Sequence, residues 1–187
     1  MQQDLVVRAK SGDHEAFSEL ASASIGRLYA VASLILRDGD RAQDAVQEAL
    51  VSAWKDMRAL RDPNAWEAWL HRVLVRACYT QARRDRRRME VELKVVPGPE
   101  PVRALDPSVS VAEREALEQE LGRLPIDQRT VMVLHYYADL TLEQAAEILD
   151  IPLGTAKSRL HRGLRSLRES MRAESVMPRT QAQERTA

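Results

Sequence analysis

Eight polar and basic side chains follow a proline-containing turn in the last third of the chain. They are Thr155, Lys157, Ser158, Arg159, His161, Arg162, Arg165 and Arg168. Hydroxyl, ammonium and guanidinium groups donate hydrogen bonds to base edges and phosphates, and an α-helix is an element that fits the major groove of duplex DNA. The pattern therefore favours a DNA-reading helix. The alternative is an amphipathic helix whose basic side simply faces solvent.

Local signals place these side chains on the second helix of a helix-turn-helix over residues 140–168. Thr141 and Gln144 have the spacing of a capping box at the start of the first helix. Pro152 disfavours helical geometry at Ile151 and so predicts a turn between the two helices. Because the first positions of a recognition helix usually reach base edges, Thr155 to Arg159 are the predicted base-contacting segment.

A second constellation consists of Asp44, Gln47 and Glu48, which share one face of a predicted helix by their i, i+3, i+4 spacing. On spacing alone, the simplest interpretation is the solvated side of an amphipathic helix. Paired carboxylates are also compatible with metal binding or acid–base chemistry. The sequence near them contains no histidine, Gly-rich loop or nucleophile–base pair, so that interpretation has no further support.

The third constellation combines Trp66 and Trp69 with a run of arginines that follows them. The arginines are Arg72, Arg76, Arg83, Arg84, Arg86, Arg87 and Arg88. Single-stranded nucleic acid binds to such a combination, because bases stack on aromatic rings while cations follow the phosphates. Burial in the core is the competing role for at least one tryptophan, and the arginines also fit a charged helix end.

Composition narrows the class of protein. Lysine plus arginine equals aspartate plus glutamate at 28 each, so the basic segments and the acidic segment 38–48 are local surfaces on a neutral chain. The single cysteine, Cys78, excludes an intramolecular disulfide, and the four histidines lack metal-ligand spacing. We expect no metal, no cofactor, a buried thiol, no membrane contact and, without a signal-peptide pattern, a cytoplasmic location.

Periodicity predicts an all-α fold of two small helical domains joined by a proline-rich linker. We assign residues 1–92 to an N-terminal domain with helices at 3–10, 13–37, 40–60 and 63–88. The linker spans 93–110, where five residues are Pro or Gly between 97 and 107. A C-terminal domain at 111–172 contains the helix-turn-helix, preceded by a helix at 128–138. We expect the tail at 173–187 to be disordered.

Three segments together resemble the extracytoplasmic-function (ECF) sigma factors of bacterial RNA polymerase. They are RAQDAVQEAL (41–50), PNAWEAWLHRVL (63–74) and the run from LPIDQR to HRGLRSL (124–167). The most specific motif is GTAKSRLHRGLRSLR, which is similar to the family's GTVKSRLHRARxxLR. The resemblance covers roughly residues 5–170.

The resemblance implies a role for each constellation. Asp44, Gln47 and Glu48 correspond to the surface that binds the clamp helices of the largest polymerase subunit. The minus-ten element, as single-stranded DNA, would be bound by Trp66, Trp69, Arg72, Arg76, Arg83 and Arg84. The minus-thirty-five element, as duplex, would be bound by Thr155, Lys157, Ser158, Arg159, His161, Arg162 and Arg165. The polymerase flap and an anti-sigma factor are further implied partners, and family members catalyse no reaction.

The chain departs from the family pattern at Arg76 and Thr80, where Asn and Asp are common, and at Ala156 and Gly163, where Val and Ala are usual. The alternative function is a helix-turn-helix repressor or activator that acts without core polymerase. Such a protein would bind a palindromic site, and it leaves the Asp44 face and the tryptophan–arginine helix without a role. No catalytic motif supports an enzyme.

Overall fold

The computed structural model describes residues 1–91 and 119–176. The first range folds as α1 (Gln2–Lys10), α2 (His14–Leu36), α3 (Gly39–Asp56) and α4 (Trp66–Val91). The second contains a helical stretch at 119–123, followed by α5 (Ile126–Met132), a π-helical turn (Val133–Tyr137), α6 (Leu142–Leu149) and α7 (Leu153–Val176). The described residues include no strand, which confirms the all-α prediction. The predicted linker at 93–110 lies outside these residues.

Residues 1–91 form a first helix group and residues 119–176 a second. Aspartate side chains cap two helices of the first group, α2 and α3. Asp13 accepts a hydrogen bond from the Ala16 amide (3.1 Å), and Asp38 accepts one from the Arg41 amide (3.0 Å). Each bond satisfies one amide that the first helical turn leaves without an intrahelical partner. The predicted third helix ends earlier than expected, since Met57–Ala59 form a separate 3-10 turn. Another 3-10 turn at Pro63–Ala65 precedes α4.

The core of the first group is built on one stripe of α4. Trp66, Leu70, Leu74 and Cys78 follow one another at four-residue intervals, and none is more than 1 % exposed. A row of fully buried alanines on α3 lets that helix approach closely: Ala42, Ala45, Ala49 and Ala53. Burial raises the pKa of the Cys78 thiol to about 12, so the prediction of a buried, unreactive thiol is confirmed.

The second group contains the predicted helix-turn-helix. Thr141 and Gln144 form the expected capping box, with hydrogen bonds of 3.2 and 2.8 Å. The turn to α7 begins at Asp150, whose φ of 53° is left-handed. The predicted helix at 128–138 differs in its last turn, where the Ala138 amide bonds to the Val133 carbonyl at i+5 spacing (3.0 Å). The last helix continues to Val176, four residues beyond the predicted end of order.

The two groups pack directly against each other. Helix α4 lies against α6, and α2 lies against α5 and the π-helical turn. Leu121, Leu134 and Ile148 of the second group belong to the same buried apolar cluster as the α4 stripe. A continuous core therefore joins the two helix groups.

Helix α2 is long and apolar. Among the described helices, α2 alone has the length and composition to cross a membrane. Half of its most apolar 18-residue stretch is buried in this fold. The buried residues of the helix include Leu28, Val31 and Ile35. Core helices of soluble proteins meet the same criterion, so this observation is weak evidence for a membrane span.

Because His71 is buried, we expect the folding stability of the chain to depend on pH. The side chain is 2 % exposed, its Nδ1 lies 2.8 Å from the Glu67 carbonyl, and its Nε2 is buried without a hydrogen-bond partner. Desolvation lowers the pKa of His71 below 6.5, and the nearby Arg27 charge acts in the same direction. Because the unfolded chain then binds this proton more readily than the folded chain, stability should fall as the pH drops below about 6.5. Urea denaturation at pH 7.5, 6.5 and 5.5 measures this dependence. His71→Gln should flatten it, and His161→Gln, at an exposed position, should not.

The close approach of Gly163 on α7 to Met132 on α5 predicts that substitutions at these two positions are coupled in their effect on folding stability. A Cβ at position 163 would lie 2.6 Å from the Met132 sulfur, which is closer than real Cβ contacts. Gly163→Ala should therefore fail to give the stabilisation of about 1 kcal/mol expected for a helix interior. Gly26→Ala on α2 is the matched control, because nothing lies within 4 Å of its Cβ. In a double-mutant cycle with Met132→Ala, urea denaturation should show a favourable coupling of about 0.5 kcal/mol or more. Strict additivity would contradict the contact.

Candidate interfaces for DNA and polymerase

Helix α7 presents most of its predicted DNA-contacting side chains to solvent. Lys157, His161, Arg162 and Arg165 are exposed, whereas Thr155, Ser158 and Arg159 are half-buried. On the opposite side, Ala156 is fully buried and anchors the helix against the rest of the second group. The basic side of α7 is therefore a surface available to a polyanion.

Side chains within this surface also bond to one another. The Ser158 hydroxyl donates to the Thr155 carbonyl (3.0 Å), and Arg162 donates to the Ser158 hydroxyl and carbonyl (3.2 Å each). Arg165 has only a 4.0 Å contact with Glu169, and both partners are largely exposed. Such an exposed contact adds little stability, so the Arg165 guanidinium is readily available to a phosphate.

Arg159 is held differently from its neighbours. Its guanidinium lies 3.0 Å from one carboxylate oxygen of Asp127, and its side chain is only 23 % exposed. The other Asp127 oxygen accepts a hydrogen bond from the Tyr79 hydroxyl of α4 (2.9 Å). Sequence reasoning missed Tyr79 and Asp127, because they are 48 positions apart and no local pattern connects them.

The predicted polymerase-binding face of α3 is only partly free. Asp44 and Gln47 are exposed, but Glu48 is half-buried. Glu48 lies 3.2 Å from Arg84 and accepts a 3.4 Å hydrogen bond from Gln81, both on α4. A residue predicted to bind polymerase and one predicted to bind DNA thus neutralise each other in this arrangement.

The two tryptophans of the third constellation have different environments. Trp66 is 1 % exposed and packs on Phe17 and Trp69, with ring centroids 6.3 and 5.7 Å apart. In this arrangement Trp66 offers no surface on which a base can stack, because its rings belong to the core. Trp69 is half-buried and retains part of its surface.

The arginines of α4 also differ in their environments, since one is hydrogen-bonded within the protein and others are exposed. Arg72 donates a 2.7 Å hydrogen bond to the Glu147 carbonyl of α6, while Arg76 and Arg83 are exposed. Side chains beyond Asp85 on this helix lie outside the described residues. No group of three or more potential metal ligands occurs within the part of the chain that the structure describes.

Two parts of the chain match family models. Residues 20–88 match the family model for Sigma-70 region 2, and residues 114–167 match that for Sigma-70, region 4. Together the two matches span the acidic face, the tryptophan–arginine helix and the helix-turn-helix. They define the class of protein as a transcription initiation factor with two sigma regions.

Relatives of known class place the chain within one family. It is 31% identical to the ECF RNA polymerase sigma factor SigM of Mycobacterium tuberculosis over 159 residues, which cover 85% of this chain and 79% of SigM. It is 28% identical to SigW of Bacillus subtilis over 178 residues, which cover 89% and 95%. The sigma factor RpoE of Bartonella quintana, solved with the anti-sigma factor NepR, has a TM-score of 0.72 and 26% identity, with coverage of 83% and 96%. The chain belongs to the ECF sigma factors.

Proposed function

We propose that this chain directs core RNA polymerase to specific promoters and helps to melt them. Residues 1–92 would act as the domain that binds polymerase and the minus-ten element. Residues 111–172 would bind the minus-thirty-five element, with 93–110 as the connection between them. The observation that carries the proposal is the exposed basic side of α7, which follows a properly capped helix-turn-helix.

Contacts to the minus-thirty-five duplex are assigned to seven residues on this side of α7. They are Thr155, Lys157, Ser158, Arg159, His161, Arg162 and Arg165. The first four lie within the first turns of the helix, where a recognition helix approaches base edges. The exposed cations further along are suited to phosphates, which supply affinity without sequence preference.

Contacts to the melted minus-ten strand are assigned to the exposed side of α4. Trp69, Arg72, Arg76, Arg83 and Arg84 combine a partly exposed ring with cations, which suits stacked bases and their phosphates. Trp66 has the supporting role of packing behind Trp69.

We assign the binding of core polymerase to the α3 face, where Asp44 and Gln47 are exposed and Glu48 lies beside them. An anionic, polar helix face binds best to a basic partner surface. Polymerase and promoter DNA are cytoplasmic in bacteria, so we place the protein there. We infer a role as an initiation factor that catalyses no reaction itself and needs no cofactor.

Regulation by an anti-sigma factor is part of the proposal. It is supported by the similarity to RpoE of Bartonella quintana, which was solved in complex with the anti-sigma factor NepR. The similarity covers 83% of this chain, so it includes helices from both groups. A partner that binds one arrangement of the two groups would withhold the chain from polymerase.

In-vitro transcription tests the proposed function. Purified chain and bacterial core polymerase are incubated with a library of genomic fragments, and transcript starts are mapped. We expect starts that depend on the chain and share two sequence elements upstream. Tight, specific binding to a palindromic site without polymerase, and no chain-dependent transcript, would instead indicate a helix-turn-helix repressor or activator.

Charge reversal at Asp44 tests the polymerase interface. Asp44→Lys should weaken binding to core polymerase at least tenfold, because a like charge replaces a complementary one at the contact. Asp44 is preferable to Glu48, whose reversal would also break the contact with Arg84. Affinity is measured by fluorescence anisotropy of labelled chain titrated with core enzyme.

Asp56→Lys is the matched control for this measurement. Asp56 is exposed near the end of the same helix, and the change in net charge is identical. Its position, twelve residues from Asp44, places it about 120° around the helix. Equal losses for the two variants would indicate general electrostatics and contradict the assigned face.

A further inference from the structure

Arg159 lies on a different side of α7 from the exposed cations that we assign to the minus-thirty-five duplex. Successive helical residues differ by about 100° around the axis, so Arg159 is about 40° from Gly163 and about 120° from Arg165. Gly163 is buried against α5, whereas Arg165 is exposed. Arg159 is therefore at the edge of α7 that faces α5, and its side chain is only 23 % exposed.

The partner of Arg159 is a side chain of α5. The Arg159 guanidinium lies 3.0 Å from a carboxylate oxygen of Asp127, in the first turn of α5. Arg162 differs, because its hydrogen bonds go to Ser158, one turn earlier on α7 itself. A phosphate would have to displace a carboxylate from Arg159, but only a hydroxyl and a carbonyl from Arg162. Arg159 is thus the less suited of the two to a direct DNA contact.

The ion pair lies beside a second contact between the same two helices. One turn further along α7, Gly163 approaches Met132 so closely that a Cβ there would lie 2.6 Å from the sulfur. Glycine has no side chain to interlock with α5, so this contact allows close approach without fixing the rotation of α7 about its axis. The pair of Asp127 and Arg159 adds charged groups whose bonding geometry is directional. It is therefore suited to fix that rotation.

The rotation of α7 determines which side chains reach the bases. The ends of helical side chains lie about 5–6 Å from the axis, so a rotation of about 20° displaces them by about 2 Å. Hydrogen-bond distances vary over a range of only about 0.5 Å. Bonds to base edges would therefore be lost or exchanged after such a rotation. A residue that fixes the rotation influences base preference at several positions without touching DNA.

We propose that Asp127 and Arg159 form a positioning pair, which sets the orientation of α7 and thereby the base preference of the side chains that enter the groove. The proposal gives Asp127 a function and refines that of Arg159, which acts through Asp127 and not through a base or a phosphate. It rests on the proposed function, since it takes α7 as the reader of the minus-thirty-five element.

The pair can be removed without unfolding the chain. A partly exposed ion pair contributes little to stability, and urea denaturation checks that each variant is folded. Asp127 also accepts a 2.9 Å hydrogen bond from the Tyr79 hydroxyl of α4. Tyr79→Phe is therefore the matched control, because it removes this bond from Asp127 and leaves the ion pair with Arg159 in place.

The experiment measures base preference at every position of the upstream element. The element mapped by in-vitro transcription is randomised in a promoter library, with a transcribed barcode that identifies each promoter. Core polymerase transcribes the library with each variant of the full chain. Arg159→Ala and Asp127→Ala should each reduce the preference for the favoured base about threefold or more at two or more positions, out of the roughly fivefold or greater preference usual at a contacted base pair. Tyr79→Phe should leave the preferences unchanged.

Exchange of the two charges separates positioning from direct contact. In a positioning pair, Asp127→Arg combined with Arg159→Asp should restore part of the preference that either change alone removes. The two alanine changes combined should cost no more than one of them, because both remove the same interaction. A direct contact predicts the opposite for the exchange, because a carboxylate at position 159 would then repel the DNA.

Other outcomes would overturn the positioning pair. A change at a single position with Arg159→Ala, without a matching change with Asp127→Ala, would assign Arg159 to a base. An equal loss of transcription from every promoter, with unchanged preferences, would indicate a phosphate contact or a loss of stability. Failure of the exchanged charges to restore any preference would show that attraction between the two groups is not what matters.

Failure of the positioning pair and failure of the proposed function give different results. Chain-dependent transcription by the unaltered chain, with unchanged preferences in both alanine variants, would leave the function standing and overturn the pair. Absence of chain-dependent transcription would overturn the function. The positioning pair then falls with it, because α7 would have no promoter element to read.

Discussion

Burial of α4 on more than one side is the constraint on which the rest of the structure depends. The stripe of Trp66, Leu70, Leu74 and Cys78 organises α2 and α3 into a core. The side with Arg72 and Tyr79 meets α5 and α6. A helix used in this way cannot present all of its arginines to solvent. The same element therefore determines the stability of the first group, the placement of the second and the number of cations available to DNA.

Charge pairing within the molecule explains how a chain with no net charge carries basic surfaces. Arg84 faces Glu48, Arg41 faces Asp38 and Asp85, and Arg159 faces Asp127. Most of these pairs are partly exposed, so each contributes little to stability. Their larger effect is on availability, because a paired arginine must exchange a carboxylate for a phosphate. Unpaired exposed cations such as Lys157 are available at once.

The sequence predicted features that depend on neighbouring residues. Thr141 and Gln144 form the capping box, and Pro152 lies in the break between α6 and α7. Both were predictable because capping and proline geometry act over a few positions. The sequence also indicates a core role for at least one of the two tryptophans on α4, but not which ring is inside. Trp66 is the buried ring and contacts Phe17, which is 49 positions earlier in the chain.

The site predictions were incomplete for the same reason. The partner of Arg72 depends on how the two helix groups meet, and the partner of Arg159 depends on how α5 and α7 pack within the second group. Neither arrangement has a signature in a local pattern. The π-helical turn is a related case. It is followed by Ala138, whose carbonyl accepts a hydrogen bond from Arg27 on another helix. Periodicity at 3.6 residues per turn predicted an ordinary helix there.

The contact between the two helix groups uses two kinds of hydrogen-bond acceptor, backbone carbonyls and a side-chain carboxylate. Arg27 and Arg72 both bond to backbone carbonyls near the ends of helical segments, where the helix dipole is negative. A guanidinium is attracted to such an end whatever side chains surround it, and substitution cannot remove the acceptor. Asp127 differs, because its bonds to Tyr79 and Arg159 are made by a side chain. Among these three hydrogen bonds between the groups, a substitution of the acceptor residue can therefore remove only the acceptor at Asp127.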